Sequence, residues 1–197
     1  MGTENFDAGY WDSRYNKSET GWDIGSVSEP LKAYIDQLPD KDISILIPGC
    51  GNAYEAAYLL QQGFTNVTLI DISTVLVLAI KEKFAAYIGK QLDVIEGDFF
   101  KLGKQFDLVL EQTFFCALHP SLREAYVQKM ADIVKPGGKL AGVLFNRDFE
   151  GGPPFGGHKE EYLALFSDKF IVKTMETCYN SIEPRRGNEL FVLFMRK

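Results

Sequence analysis

The sequence predicts an α/β fold: a mostly parallel sheet covered on both faces by helices, closed by an antiparallel hairpin and preceded by a helical cap. Three observations carry this. From residue 43 to residue 145, short β-rich apolar runs alternate with helical stretches, the order that builds a parallel sheet with helices on either side. After a last helical stretch near 158–166, two more β-rich runs, Phe170–Thr177 and Glu189–Met195, are joined by about a dozen turn-rich residues. A parallel return needs a crossover of at least that length, usually helical, so an antiparallel edge pair is expected. Residues 1–40 differ from the rest: they are polar yet carry Phe6, Tyr10, Trp11, Tyr15 and Trp22.

The elements follow in order. Trp11 and Tyr15 have i, i+4 helical spacing. Ser28 is placed to cap a helix with Pro30 in its first turn and Leu31, Tyr34, Ile35 and Leu38 on one face. Ile43–Ile47 is the first strand, ended by Pro48-Gly49, and a helix over about 53–62 stops at Gly63. Val67–Ile70 is the second strand; Ser73 can cap the helix after it, which runs to about Tyr87. Leu92–Ile95 and Phe106–Leu110 are the third and fourth strands. Ser121-Leu-Arg-Glu124 reads as a capping box for a helix through Val134, Pro136-Gly137-Gly138 as a turn, and Lys139–Phe145 as the fifth strand.

The 197 residues, with 46% apolar and 24% charged, fit one domain: a cap over 1–40 and a sheet over 41–197. A net charge of −6 argues against a nucleic-acid partner. Cys50, Cys116 and Cys178 are odd in number and widely spaced, and His119 and His158 are 39 residues apart, so neither a disulfide framework nor a metal site is expected. The Met1-Gly2 opening invites a myristoylation reading, but Phe6 stands where Ser or Thr is wanted. With no basic start, no signal-like apolar run and no membrane span, a reduced cytoplasmic protein is expected. No long apolar seam or heptad marks an oligomer interface, and a monomer is favoured.

Chemistry concentrates at the strand ends. Gly49 and Gly51, with Cys50 as a small residue between them, let the chain turn sharply and approach a ligand before a helix begins. The same pattern also serves a plain tight turn. Asp71 lies 20 residues after Gly51 at the end of the second strand, where a carboxylate can accept from both hydroxyls of a ribose, or else cap the next turn. A dinucleotide fingerprint wants a third glycine where this chain has Tyr54, so a phosphate-free nucleoside such as S-adenosylmethionine fits better. Asp98 can accept from an adenine amino group with Phe99 or Phe100 over the ring, or serve as a turn acid. Glu111 can bind a cation or shape the pocket, or be a satisfied loop acid. Cys116, among Phe114, Phe115, Ala117 and Leu118, reads as inert core rather than a nucleophile. His119, before Pro120, reads as a loop residue that can lie beside a substrate. The aromatics of residues 6–22 either dock the leader on the core or form a lid whose faces suit a sulfonium cation.

The motifs IPGCGNAYEA, LIDIS, EGDFF, LEQTFFCALHP, VKPGGKL and GGPPFGG occur in that order, preceded by WDSRY and GWDIG. Together, over nearly the whole chain, they resemble the thiopurine S-methyltransferase family, and especially its plant-type halide and thiol methyltransferase branch. The resemblance implies a Class I, Rossmann-like three-layer sandwich with a seven-stranded sheet, S-adenosyl-L-methionine as cofactor, and a small-molecule acceptor. It implies cofactor contacts from Trp11, Tyr15, Trp22, Gly49, Cys50, Gly51, Asp71, Ile72, Asp98, Phe99, Glu111 and Gln112. Phe115, His119 and Arg185, the last in a family-like SIxxRxG stretch, are implied on the acceptor side. Gln112, Tyr15 and His119 depart from residues common in the family, which touches the acceptor more than the cofactor. The reaction expected is in-line displacement by a small soft nucleophile: a thiol, a thiopurine, thiocyanate or a halide. Methyl transfer to an amine or oxygen acceptor is the alternative, though no NPPY-type motif follows the fourth strand; a non-enzymatic nucleoside-binding module is another.

Overall fold

The computed structural model describes residues 6–197, so the Met1-Gly2 opening lies outside the described residues. The leader holds helices α1 (Ala8–Asn16) and α2 (Glu29–Ile35). The alternating region gives β1 (Ile45–Pro48), α3 (Tyr54–Gln61), β2 (Val67–Asp71), α4 (Thr74–Lys83), β3 (Leu92–Glu96), β4 (Phe106–Gln112), α5 (Arg123–Ile133) and β5 (Val134–Phe145). The terminal part adds α6 (Lys159–Phe166), β6 (Phe170–Thr177) and β7 (Glu189–Arg196). All seven strands form one sheet in the order β3-β2-β1-β4-β5-β7-β6.

Period-two alternation splits the sheet's side chains between two cores. Ile45, Ile47, Leu108, Leu110, Ala141 and Val143 face one layer with α2, α3 and α4. Leu46, Phe106, Val109, Leu140 and Leu144 face the other, with Tyr126 and Met130 of α5 and Tyr162 and Phe166 of α6. The expected terminal hairpin forms, and its second strand inserts: β7 pairs antiparallel with both β5 and β6, so β7 alone runs against the rest.

Three local expectations change. The Pro136-Gly137-Gly138 turn is absorbed into β5, because both of its flanks pair with β4: Val134 opposite Phe106, and Lys139 opposite Leu108, with a register shift between. Ser121 does not cap α5; its hydroxyl meets His119 Nδ1 at 2.8 Å, and Leu122 is the cap residue, with no side-chain bond. The α4 helix stops at Lys83, short of Tyr87, with Phe84 turned into the core at its end. At the start of α2, Ser28 is the cap residue as expected, but its part is a backbone one: its N–H donates to Glu55 Oε1 at 3.0 Å.

Candidate functional site

The carboxyl ends of β1, β2, β3 and β4 open into a mainly apolar cavity of about 760 Å³, roofed by the leader. Open parallel sheets bind ligands at this edge, where neighbouring connections leave in opposite directions; here β1 and β4 flank that point.

The floor is a strained loop. Gly49, Gly51 and Ala53 all have positive φ (54°, 50° and 56°), and Thr113 on the facing loop has 60°. Gly49 is required twice over: a Cβ there would lie 2.3 Å from the Phe114 ring, and φ is left-handed. Asp71 ends β2 with Oδ1 accepting from Ser73 N at 3.0 Å. Burial pushes its pKa up to about 6, against the pull of the amides of Ser73, Gly51 and Ile72. Asp98 accepts from Phe100 N at 2.9 Å and is partly exposed beside Lys101. Each acid therefore does the turn-capping job that sequence allowed, while also lining the cavity with Ile72 and Phe99.

The roof is aromatic. The Trp22 ring stands edge-on to Trp11 (5.5 Å) and to Tyr15 (5.9 Å). Burial, with Asp71 nearby, holds the Tyr15 hydroxyl neutral far above its usual range. No residue of α1 is fully buried, and polar clasps complement its ring contacts. Asp12 Oδ1 accepts from Ser73 Oγ (2.6 Å) and Val75 N (3.1 Å) at the start of α4. Asp23 takes the Asn52 amide and the Tyr54 hydroxyl. Arg185 Nη2 donates to the Trp22 carbonyl at 2.8 Å while Nη1 meets the buried Glu189 at 3.3 Å. Asp12 and Asp23 carried no sequence signal of their own; besides Gly25 N, which Asp23 Oδ1 accepts from at 2.7 Å, the partners that clasp the leader to the sheet lie 29 to 63 residues away.

Of the residues singled out from sequence, Trp11, Tyr15, Trp22, Gly49, Cys50, Gly51, Asp71, Ile72, Asp98, Phe99, Gln112, His119 and Arg185 line this cavity; Glu111 and Phe115 do not. Glu111 is buried beneath it. One carboxylate oxygen accepts from Phe114 N (2.8 Å) and Phe115 N (2.9 Å), the other from the Tyr126 hydroxyl (2.6 Å). Burial raises its pKa to about 7. Phe115 points into the second core, against Tyr126 and Tyr162, and the wall residue is its neighbour Phe114. The reason is the turn after β4: Glu111 draws both amides inward, so side chains alternate between wall and core. Cys50 and Cys116 border the cavity, but burial keeps both thiols well above their usual pKa, against a nucleophilic role. Gln112 Oε1 is buried with no hydrogen-bond partner. The far wall is apolar, with Leu118, Phe149, Pro153 and Pro154. Among the described residues, no cluster of His, Cys, Asp and Glu could hold a metal, and no helix is long and apolar enough to cross a membrane.

A family model described as thiopurine S-methyltransferase (TPMT) matches residues 6–195. The chain is similar to the probable thiol methyltransferase 2 of Arabidopsis thaliana, with 30% identity over 187 residues, 92% of this chain and 82% of that one. It is 26% identical over 190 residues to thiocyanate methyltransferase 1 of Brassica oleracea, 94% and 84% of the two chains. Among solved structures, the 1,6-didemethyltoxoflavin-N1-methyltransferase of Burkholderia thailandensis, with bound 1,6-didemethyltoxoflavin and S-adenosylhomocysteine, shares the fold. Its TM-score is 0.74 at 17% identity, covering 96% of this chain and 87% of that one.

Proposed function

The chain belongs to the thiopurine S-methyltransferase family and is an S-adenosylmethionine-dependent methyltransferase; from that premise we propose that its acceptor is a small soft nucleophile: a thiol, thiopurine, thiocyanate or halide. The observation that carries this reading is the pairing of a polar strand-end floor with an apolar far wall under an aromatic roof.

The residues present fit the cofactor. The close approach at Gly49, the strand-end Asp71 and the Asp98–Phe99 pair suit sugar and base respectively. Gln112 Oε1, an acceptor with no donor of its own, suits the cofactor's ammonium group. When bound, S-adenosylmethionine supplies a methyl group on a sulfonium, activated for in-line displacement. The protein's own work is alignment and exclusion of water. Trp11, Tyr15 and Trp22 close the roof, and Phe114 and Leu118 present dry surface to the acceptor. Arg185, which the SIxxRxG stretch placed beside the acceptor, is committed to Glu189 and the Trp22 carbonyl, so its role in this reading is to hold the roof.

The test is incubation of the full chain with labelled S-adenosylmethionine and a panel of thiols, thiopurines, thiocyanate, iodide and amines. Label is expected on sulfur or halide. Transfer to amines alone would overturn the reading.

A further inference from the structure

Three arginines line the cavity, and they are spent differently. Arg14 pairs with Glu19 at 2.9 Å and Arg185 with Glu189 at 3.3 Å. Among the described residues, Arg147 meets no carboxylate within 4 Å; its Nε donates to the Asp148 carbonyl at 3.3 Å. The adjacent Asp148 carboxylate is taken by His158 Nε2 at 3.1 Å. The Arg147 guanidinium lies over the Phe149 ring, 4.7 Å from its centroid. Stacking holds the plane of the group while leaving its edge donors for a ligand.

The backbone fixes where this cation sits. The Arg147 carbonyl accepts from Gly157 N at 3.0 Å, and Phe155 N donates to the Cys116 carbonyl at 2.7 Å. The 153–157 segment, whose Pro153 and Pro154 line the wall, is thereby stitched between residue 147 on one side and the loop after β4 on the other. That second loop carries His119, whose ring stands edge-on to Phe155 at 5.6 Å. Ser121 N donates to His119 Nδ1 at 3.3 Å, and His119 Nε2 meets no protein partner among the described residues. Two side chains with unspent polar edges, Arg147 and His119, thus flank one apolar wall. The acid at the start of the leader, Asp7, turns Oδ1 onto Tyr10 N. The floor acids Asp71 and Asp98 lie at the ends of β2 and β3.

We infer that Arg147, with His119 across the Pro153–Phe155 wall, forms an anion subsite at the cavity mouth, and that the preferred acceptors are small thiols carrying a second, anionic group, a carboxylate, beyond the sulfur. This rests on the soft-nucleophile reading above and narrows it. A charge-assisted, two-donor contact from an arginine edge discriminates a carboxylate from its neutral amide.

The experiment compares 3-mercaptopropionate, 3-mercaptopropionamide and 2-aminoethanethiol as acceptors for the full chain and for Arg147→Gln and Arg147→Lys. Each probe's intrinsic reactivity cancels in the wild-type-to-variant comparison. At low salt the carboxylate-to-amide ratio of kcat/KM is expected to fall about five- to tenfold in Arg147→Gln and to be partly kept in Arg147→Lys, with the wild-type ratio shrinking as salt rises. An unchanged ratio in Arg147→Gln, with all three thiols still methylated, would overturn the subsite alone. Methylation of 2-aminoethanethiol on nitrogen only would overturn the soft-nucleophile reading and the subsite with it, whereas methylation of none of the three thiols while thiocyanate or iodide is still methylated would overturn the subsite alone.

Discussion

The floor of the cavity and its far wall are built in opposite ways. The floor is made by short-range backbone geometry: Asp71 caps an amide two residues on, Asp98 does the same, and Gly49, Gly51 and Ala53 adopt left-handed conformations in one turn. The wall and roof are held by buried or half-buried side chains reaching far along the chain. Glu111 meets Tyr126 across 15 residues, Arg123 meets Glu161 across 38, and Arg185 meets the Trp22 carbonyl across 163. A site built this way can keep one ligand's subsite fixed while a few buttresses reshape the other.

Removing the deepest buttress breaks the comparison most severely. Glu111→Ala leaves two amides and the Tyr126 hydroxyl without their buried acceptor. At ~1–3 kcal/mol for each unsatisfied group, partly relieved by relaxation, the expected loss of stability is about 3–5 kcal/mol, read by urea denaturation. The carboxylate also sets a pH trend. Its pKa is about 7 in the fold against an ordinary 4.5, so the folded state holds the proton more tightly. That contribution is full below about 4.5 and is lost as pH rises towards 7. The wild type without ligand is therefore expected to lose stability across that window, and Glu111→Gln to lose less of it.

The contrast also explains what could be read from the chain alone. Gly49, Gly51 and Asp71 announce themselves because their roles depend on neighbours a few residues away, and the alternating apolar runs name every strand. Glu111 looked like a ligand contact because a strand-end acid is so often one; that it turns inward depends on Tyr126, in the next helix. Phe114 and Phe115 are indistinguishable in sequence until Glu111 decides which faces the cavity. Asp12 and Asp23 gave no signal, since an acid in a polar leader reads as solvated surface. The Ser121 capping box was a genuine local pattern, defeated by a nearer partner, His119.

Asp71→Asn tests the floor. Ribose hydroxyls donate to a charged carboxylate, so the substitution is expected to weaken cofactor binding by about 1–3 kcal/mol, roughly five- to 150-fold, by calorimetry. Because Asp71 titrates near 6 in the free protein, binding below that pH must expel a proton. Wild-type affinity is expected to be flat above pH 7 and to weaken about tenfold per unit below 6, with proton release, whereas Asp71→Asn stays flat there. A parallel slope in both proteins would place the titrating group elsewhere.

Asp12→Ala carries the smallest expected effect and separates roof from floor most finely. Ser73 caps Leu76 N through its own hydroxyl at 3.1 Å, so α4 keeps its cap when Asp12 is lost, and global stability should move by no more than about 1 kcal/mol. The leader loses one of its clasps, so limited proteolysis within residues 6–22 is expected to quicken a few-fold and the KM for the cofactor to rise by a similar factor. One more readout distinguishes a clasp from a mere surface acid. The Asp12 charge contributes to the raised pKa of Asp71, so its removal should shift the pH midpoint of cofactor binding downward. Faster leader cleavage with an unmoved midpoint would mean that Asp12 holds the roof without touching the electrostatics of the floor.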